Sequence, residues 1–318
     1  MAYLLAIGIG AGLVSALLFA VVITGSPLGV LLLVLIPLPI FIAALGWTHL
    51  TGLVAALAGG LALALAVNRT AGLIFGLGFA LPAWWLAYLA LLGRPGRDGS
   101  VEWYPLGRLL LWIAATAALI TLVGILAIGD GSYEAFQGRL RGAIGEFLRA
   151  AQPAPPAGEA APNEALAFLV AALPFFFALN FTLILALNLW LAGHSVRLSG
   201  RLPRGWPDIP ATTMPPLALA LLAAGTVLAF LPGLPGSAGL VTAGALLAAF
   251  TLQGLAFIHD TTRQRPGRGL LLGSLYVVTL LVSQVVLPLL AVLGCADVAF
   301  GLRNRFRAGP ADPRPPST

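Results

Sequence analysis

The strongest constraint on this chain is a series of apolar runs, each about as long as a membrane is thick. A helix that crosses the hydrocarbon core needs about 20 apolar residues. Charged residues account for only 9% of the chain, whereas a soluble domain contains about 25%. The sequence therefore predicts an all-α, polytopic integral membrane protein with about nine transmembrane helices: 2–24, 28–46, 50–67, 71–92, 107–129, 164–193, 215–233, 237–258 and 268–293.

The domain organisation follows from the spacing of these runs. We predict a single transmembrane domain over residues 1–307 and a disordered, proline-rich tail over 308–318. The first run lacks a positively charged start, so we expect a retained span and not a cleaved signal peptide. The run 50–67 is short enough to be re-entrant, which leaves eight or nine spans. Arginine counts on the two sides are nearly equal and do not set the orientation.

The long connection after the fifth span contains an amphipathic segment. Apolar side chains recur there at steps of 3, 4, 4 and 3 residues, which predicts a helix over 131–151: Tyr133, Phe136, Leu140, Ile144 and Phe147. Such a helix either lies in the headgroup plane or docks on the bundle of spans. A low-complexity linker rich in proline and alanine follows it.

Composition excludes several classes of function. All 17 basic residues are arginine, and they lie between the apolar runs, where they can contact phospholipid headgroups. No basic stretch interleaved with aromatic residues indicates nucleic-acid binding. The single Cys295 excludes an internal disulfide and a multi-cysteine metal site. No phosphate loop, zinc-protease or hydrolase motif occurs, so we expect no catalytic residues, no metal and no cofactor, and predict that the chain is not an enzyme.

Polar groups on the last two spans are the first candidate site. No charge falls in the middle of a span, which argues against an ion-coupled pump with a buried carboxylate relay. A short connection makes these spans antiparallel neighbours, so their polar faces are expected to meet. The functional interpretation is a wall of a ligand cavity or a proton-sensitive gate; the alternative is interhelical hydrogen bonding at about 0.6 kcal/mol per contact. The residues are Gln253, His259, Asp260, Tyr276, Thr279 and Ser283.

Two further spans carry candidate ligand-binding groups. The sixth span holds Asn180 and Asn188 after Pro174, and a kinked helix with buried amides can line a ligand site. Trp84 in the fourth span lies roughly 12 Å from the span end, deeper than a residue of the interfacial aromatic belt. Packing between helices is the alternative explanation for both features.

Small residues on the first span suggest a helix–helix contact. Ala2 and Ala6, and Gly8 and Gly12, recur at four-residue spacing, which permits close approach of a second helix. We predict that the chain contacts the lipid bilayer and that these faces can bind another membrane protein.

A family resemblance rests on the C-terminal part of the sequence. Gln253-Gly-Leu-Ala, Tyr276, Leu293-Gly294 and Asp297-x-x-Phe300-x-x-Arg303 resemble the close of the YybS-like family of bacterial membrane proteins, a family of unknown function. Members often carry an acidic residue after that aromatic, where this chain has Gly301. The resemblance implies four closely spaced spans, a fifth, an interfacial helix and four more, in the bacterial cytoplasmic membrane.

That family is in turn remotely similar to the substrate-binding S components of energy-coupling-factor transporters. Those subunits dock a transmembrane partner through Ala-x-x-x-Ala on the first helix, a pattern that Ala2 and Ala6 match. The resemblance implies a binding or transport subunit for a small, largely uncharged molecule. The alternative is a non-catalytic membrane scaffold that docks partner proteins through the 131–151 helix and loop 194–214. A membrane enzyme acting on lipid has no supporting motif.

Overall fold

The computed structural model describes residues 1–97, 99–151 and 163–307. The described chain is almost entirely helical, because its apolar runs satisfy their backbone hydrogen bonds internally, as a membrane requires. In chain order the helices are α1 (Ala2–Ile23), α2 (Pro27–Leu33), α3 (Leu38–Gly46), α4 (His49–Ala66), α5 (Arg69–Phe75), α6 (Leu81–Ala90), α7 (Leu106–Ile128), α8 (Tyr133–Ala151), α9 (Asn163–Leu198), α10 (Leu217–Leu228), α11 (Gly233–Thr261), α12 (Arg268–Leu281), α13 (Ser283–Phe300) and α14 (Leu302–Arg307).

Four short elements complete the described chain. Residues Gly76–Ala80 form a π-helical turn that joins α5 to α6. The strands β1 (Gly93–Pro95) and β2 (Val101–Trp103) pair antiparallel between α6 and α7, with Gly93 opposite Trp103. A 3-10 turn, Ile209–Ala211, lies in the loop before α10.

The all-α membrane class is confirmed. Seven of the described helical segments are long and apolar enough to cross a membrane: Ala2–Ile23, His49–Ala66, Arg69–Ala90, Leu106–Ile128, Leu166–Leu198, Gly233–Thr261 and Ser283–Phe300. The count of nine spans stays a prediction, because the other apolar helices are shorter than 18 residues.

Three predicted spans differ in the structure. The span 28–46 is interrupted by a turn over 34–37, where Pro37 and Pro39 cannot donate the backbone hydrogen bonds of a continuous helix. The span 268–293 divides at Val282 into α12 and α13, and α13 extends to Phe300. The span 215–233 contains the 12-residue α10.

The N-terminal helices pack through glycine contacts. A Cβ on Gly12 of α1 would overlap the carbonyl oxygen of Ala55 in α4, and a Cβ on Gly8 would lie 2.8 Å from that of Thr51. This face of α1 is therefore occupied within the chain. The prediction that Gly8 and Gly12 bind a second protein is wrong for this reason. Ala2 and Ala6 remain exposed, and their contact with a partner stays a prediction.

The C-terminal helices pack around α11, which is the most buried of the seven candidate spans. It contacts α7, α9, α10 and α13. Small residues on several faces of α11, including Gly239, Gly244 and Gly254, let the neighbouring backbones approach closely. Helices α7 and α9 contribute to this core and to the core of the N-terminal half.

The predicted amphipathic helix forms α8. Its first half docks on the bundle, where Phe136 is buried and Tyr133 and Leu140 pack against the same core. Phe147, near its far end, is exposed. The docked alternative therefore describes the first half of α8. The predicted linker after it and the tail 308–318 lie outside the described residues.

Candidate functional site

A buried polar cluster lies where α11, α13 and α14 meet, and comprises Gln253, Asp260, Asp297 and Arg303. Gln253 Nε2 donates to Asp297 Oδ2 over 2.6 Å, and Arg303 Nε donates to the same oxygen over 2.8 Å. Asp260 Oδ2 lies 3.9 Å from Arg303 Nη1. All four side chains are buried. Charges in such a position are tolerated because they are paired and hydrogen-bonded.

The polar cluster fastens the loop 199–216 to the helices. Arg303 Nη1 donates to the carbonyl oxygen of Pro210 over 2.5 Å. Gln253 Oε1 accepts from the backbone N–H of Met214 over 3.2 Å. These bonds hold both the 3-10 turn and the start of the α10 segment. The loop consequently has a defined position over one end of the bundle.

An ion pair continues the cluster toward the surface. Arg263 Nε lies 2.9 Å from Asp260 Oδ1, and the same guanidinium pairs with Asp208 of the loop. The hydrogen bond that Arg263 donates to Asp208, together with the charges of Asp208 and Asp260, raises the pKa of Arg263 above its ordinary value. Arg263 is therefore charged at every physiological pH.

A large apolar cavity of about 800 Å³ lies beside the cluster. Its walls are aliphatic side chains of α7, α9 and α11, and the loop 199–216 closes one end. Trp190 of α9 and Trp206 of the loop add aromatic surface. A cavity of this size falls within the range of about 300–1,000 Å³ that is typical of small-molecule sites.

Few polar groups line the cavity. His259 Nε2 and the hydroxyl of Tyr276 lie 2.8 Å apart and link α11 to α12. On the loop, Arg204 Nη1 donates to the carbonyl oxygen of Ala90 over 2.8 Å. Burial lowers the pKa of Arg204 below its ordinary value. The polar groups therefore sit at particular points of an otherwise apolar wall.

A second cavity of about 540 Å³ adjoins the first and shares Trp190 and Trp206 with it. It is more polar, since His194, Arg197 and Arg263 line it. The guanidinium of Arg197 lies 4.9 Å from the Trp206 ring centroid, within the range of a cation–π contact. The second cavity thus brings two arginines and Asp208 together beside the loop.

The predicted site residues do not converge on one cavity. His259 and Tyr276 line the apolar cavity, whereas Gln253 and Asp260 belong to the polar cluster. The expected meeting of the Gln253 face with α12 is wrong, because Gln253 binds Asp297 of α13 instead. Thr279 donates to the carbonyl oxygen of Leu275 within its own helix.

The remaining predicted residues do not line the cavity. Asn188 donates to the carbonyl oxygens of Ile184 and Val34, so it joins α9 to the turn after α2. Asn180 donates to Phe176 one turn earlier and is exposed. Trp84 stacks on Tyr88, and Ser283 begins α13.

Several residues of this region were missed as site residues from the sequence. Arg204, Trp190 and Trp206 line the cavity, and no periodicity marks them. Asp297 and Arg303 belong to the C-terminal motif, and this motif was the sequence feature that could have identified them as site residues. The predicted span 268–293 ends before Asp297, whereas in the structure Asp297 lies within α13 and is buried. Among the described residues, no group of three or more His, Cys, Asp or Glu side chains could hold a metal ion.

Comparison with known proteins assigns the family. The family model described as "Predicted membrane protein (DUF2232)" matches residues 13–298, and the chain therefore belongs to this family of membrane proteins. The match includes Gln253, Gly254, Gly294 and Asp297, in agreement with the YybS-like resemblance. No curated protein and no solved structure matches the chain. The remote similarity to transporter S components stays a prediction.

Proposed function

We propose that this protein is a binding or transport subunit of the bacterial cytoplasmic membrane for a small, largely uncharged molecule, which it holds in the apolar cavity. The observation that carries the proposal is the cavity of about 800 Å³ between α7, α9, α11 and the loop 199–216. A wall of aliphatic and aromatic side chains favours a ligand whose own surface is apolar, because a polar group left without a partner there is costly.

The structure around the cavity favours a ligand-binding site over an unfilled packing defect. Two separate buried side chains hold the loop that closes one end: Gln253 accepts a hydrogen bond from it, and Arg303 donates one to it. The cavity is therefore largely formed before a ligand arrives, as is usual for small-molecule sites. The proposed role is binding without catalysis or a cofactor. In transport, the energy would come from another chain, since no ATPase motif is present.

The scaffold alternative has less support. The apolar face of α8 packs against the core through Tyr133, Phe136 and Leu140. On the same face, Phe147 is exposed. In the loop 194–214, Trp206 lines the cavity. The apolar face of α8 is thus largely used within the chain, and the loop 194–214 contributes part of its surface to the cavity.

The test is to fill the cavity and look for loss of a bound molecule. The protein is purified in mild detergent, and native mass spectrometry measures any small molecule that remains bound. Ala186→Trp places an indole in the cavity wall of α9. Ala167→Trp, at an exposed position of the same helix, is the matched control.

We expect a bound mass in the wild type and in Ala167→Trp, and its loss in Ala186→Trp. Gel filtration of all three proteins checks that each is monodisperse. A wild-type protein with no bound small molecule, or an Ala186→Trp variant that retains it unchanged, contradicts the proposal.

A further inference from the structure

Arg204 is half-buried, and it differs in its partners from the buried Arg303 of the same region. Arg303 reaches Asp297, Asp260 and the carbonyl oxygen of Pro210. Arg204 donates one hydrogen bond, from Nη1 to the carbonyl oxygen of Ala90. Its Nε is buried and has no hydrogen-bond partner among the residues that the structure describes.

Within the described chain, the carboxylates near the loop are already paired with other arginines. Asp208 pairs with Arg263, and Asp297 with Arg303. Glu102 on β2 pairs with Arg94. The ion pairs of the described residues do not include Arg204. The Arg204 guanidinium instead lies 5.7 Å from the Trp103 ring centroid, a cation–π contact that does not neutralise its charge.

An arginine in this position keeps its charge. Burial lowers its pKa, but the guanidinium group is not deprotonated in proteins. Partial burial of a charge without a counterion is destabilising, and an anion that binds there offsets this cost. The planar fork of N–H donors fits carboxylate and phosphate oxygens, with which it forms short, strong hydrogen bonds.

The same side chain lines the apolar cavity. We propose that the ligand is an anionic amphiphile, whose apolar body lies between α7, α9 and α11 and whose single carboxylate or phosphate binds Arg204. This inference rests on the proposed function. It specifies that the otherwise uncharged ligand carries a single negative charge, which binds Arg204. The stacked cations Arg197, in the last turn of α9, and Arg201, on the loop, add positive charge near that end of the cavity.

The test compares probes that share a chain and differ in their head group. 9,10-Dibromostearic acid, dibromostearyl phosphate and methyl 9,10-dibromostearate are titrated into the detergent-solubilised protein at pH 8.5, where the acids are ionised. Bromine quenches nearby tryptophan, and Trp190 and Trp206 line the cavity. Competition by the unbrominated stearic acid defines the saturable part of the quenching.

We expect at least one of the two acids to bind at least tenfold more tightly than the methyl ester. Arg204→Gln is expected to abolish this preference. Arg201→Gln is the matched control, because Arg201 stacks on Trp47 and does not line the cavity, and it should retain the preference. The carboxylate and phosphate probes distinguish the two kinds of acidic group.

The outcomes separate this inference from the proposed function. Saturable binding with equal affinity for the acids and the ester overturns the anionic assignment and leaves the apolar binding site standing. No saturable quenching by any probe contradicts both. The ratio of acid to ester affinity in the wild type decides the question even if Arg204→Gln fails to fold.

Discussion

Gly254 of α11 and Gly294 of α13 face each other where the two helices are in backbone contact. A Cβ on Gly294 would lie 2.9 Å from the backbone nitrogen of Gly254 and would overlap the carbonyl oxygen of Phe250. A Cβ on Gly254 would overlap the carbonyl oxygen of Leu290. This approach brings Gln253 and Asp297, which neighbour the two glycines, within hydrogen-bonding distance.

The first prediction concerns this glycine pair. Gly254→Ala and Gly294→Ala should each destabilise the protein by about 1–3 kcal/mol, because the helices must separate to admit the methyl group. Thermal unfolding in detergent measures the effect. Gly124→Ala in α7 is the control, since its Cβ meets open space and alanine favours the helix. An unfolding temperature of Gly254→Ala at or above that of the wild type contradicts the prediction.

The second prediction concerns the ion pair of Asp297 and Arg303. Both side chains are buried, so removing either charge leaves the other without its main partner. Asp297→Asn or Arg303→Gln should each cost about 3–5 kcal/mol. The double variant should cost clearly less than the sum, as a double-mutant cycle of unfolding free energies measures. Additive effects would mean that the two groups do not interact.

The sequence predicted the helical membrane class well, because it depends on long apolar runs that need no knowledge of tertiary contacts. It also predicted α8 from the spacing of Tyr133, Phe136 and Leu140. The positions at which helices are interrupted were harder to predict from the sequence. The break at Val282 lies inside an apolar run, and neither glycine nor proline marks it in the sequence.

The candidate site was predicted only in part. His259 and Tyr276 are in contact, as the neighbouring polar faces of their helices suggested. Gln253 contacts α13 and not α12, because the close packing at Gly254 and Gly294 brings α13 nearer. Arg204 and Trp206 lie in a loop, where no period relates them to the helices they meet. Such contacts depend on how the loop folds back over the bundle.

The third prediction concerns the attachment of α12. In the described structure, none of its residues is buried, and the hydrogen bond between the Tyr276 hydroxyl and His259 Nε2 links it to α11. Tyr276→Phe should remove about 0.6 kcal/mol, the average for such a bond in a membrane protein. Hydrogen exchange of α12 should then rise about threefold, with no change in the middle of α11.

Ser274→Ala is the control for this measurement, because Ser274 donates within α12 to the carbonyl oxygen of Leu270. Its exchange pattern should match that of the wild type. Equal exchange of α12 in Tyr276→Phe and the wild type would show that other contacts hold this helix in place.

The fourth prediction concerns the start of α8. A hydrogen bond from its own backbone, and a second from Ser132 Oγ at 2.9 Å, lower the pKa of Glu134 below 4.5. Because the folded-state pKa is the lower one, the stabilisation is present above about pH 4.5 and is lost as pH falls through the folded-state value. Ser132→Ala should raise the pKa of Glu134 toward 4.5.

Carbon-13 NMR of protein labelled at the glutamate carboxyls measures this pKa, and Glu134→Gln assigns its signal. Ser199→Ala is the control, since Ser199 donates to Val196 at the end of α9. An unchanged Glu134 titration in Ser132→Ala would show that Ser132 does not contribute to the shift.

The last prediction is that the chain crosses the membrane along α10, although this helix has only 12 residues. Met214 lies beside Gln253, and Leu231 lies beside Gly236, so the segment 214–231 follows 17 residues of α11, or about 26 Å. Single cysteines at positions 201 and 232, in a Cys295→Ala background, should therefore react with an impermeant maleimide from opposite sides. Cysteines at 97 and 141, which flank the 23-residue α7, are the control for a crossing. Labelling of 201 and 232 from the same side would identify α10 as re-entrant.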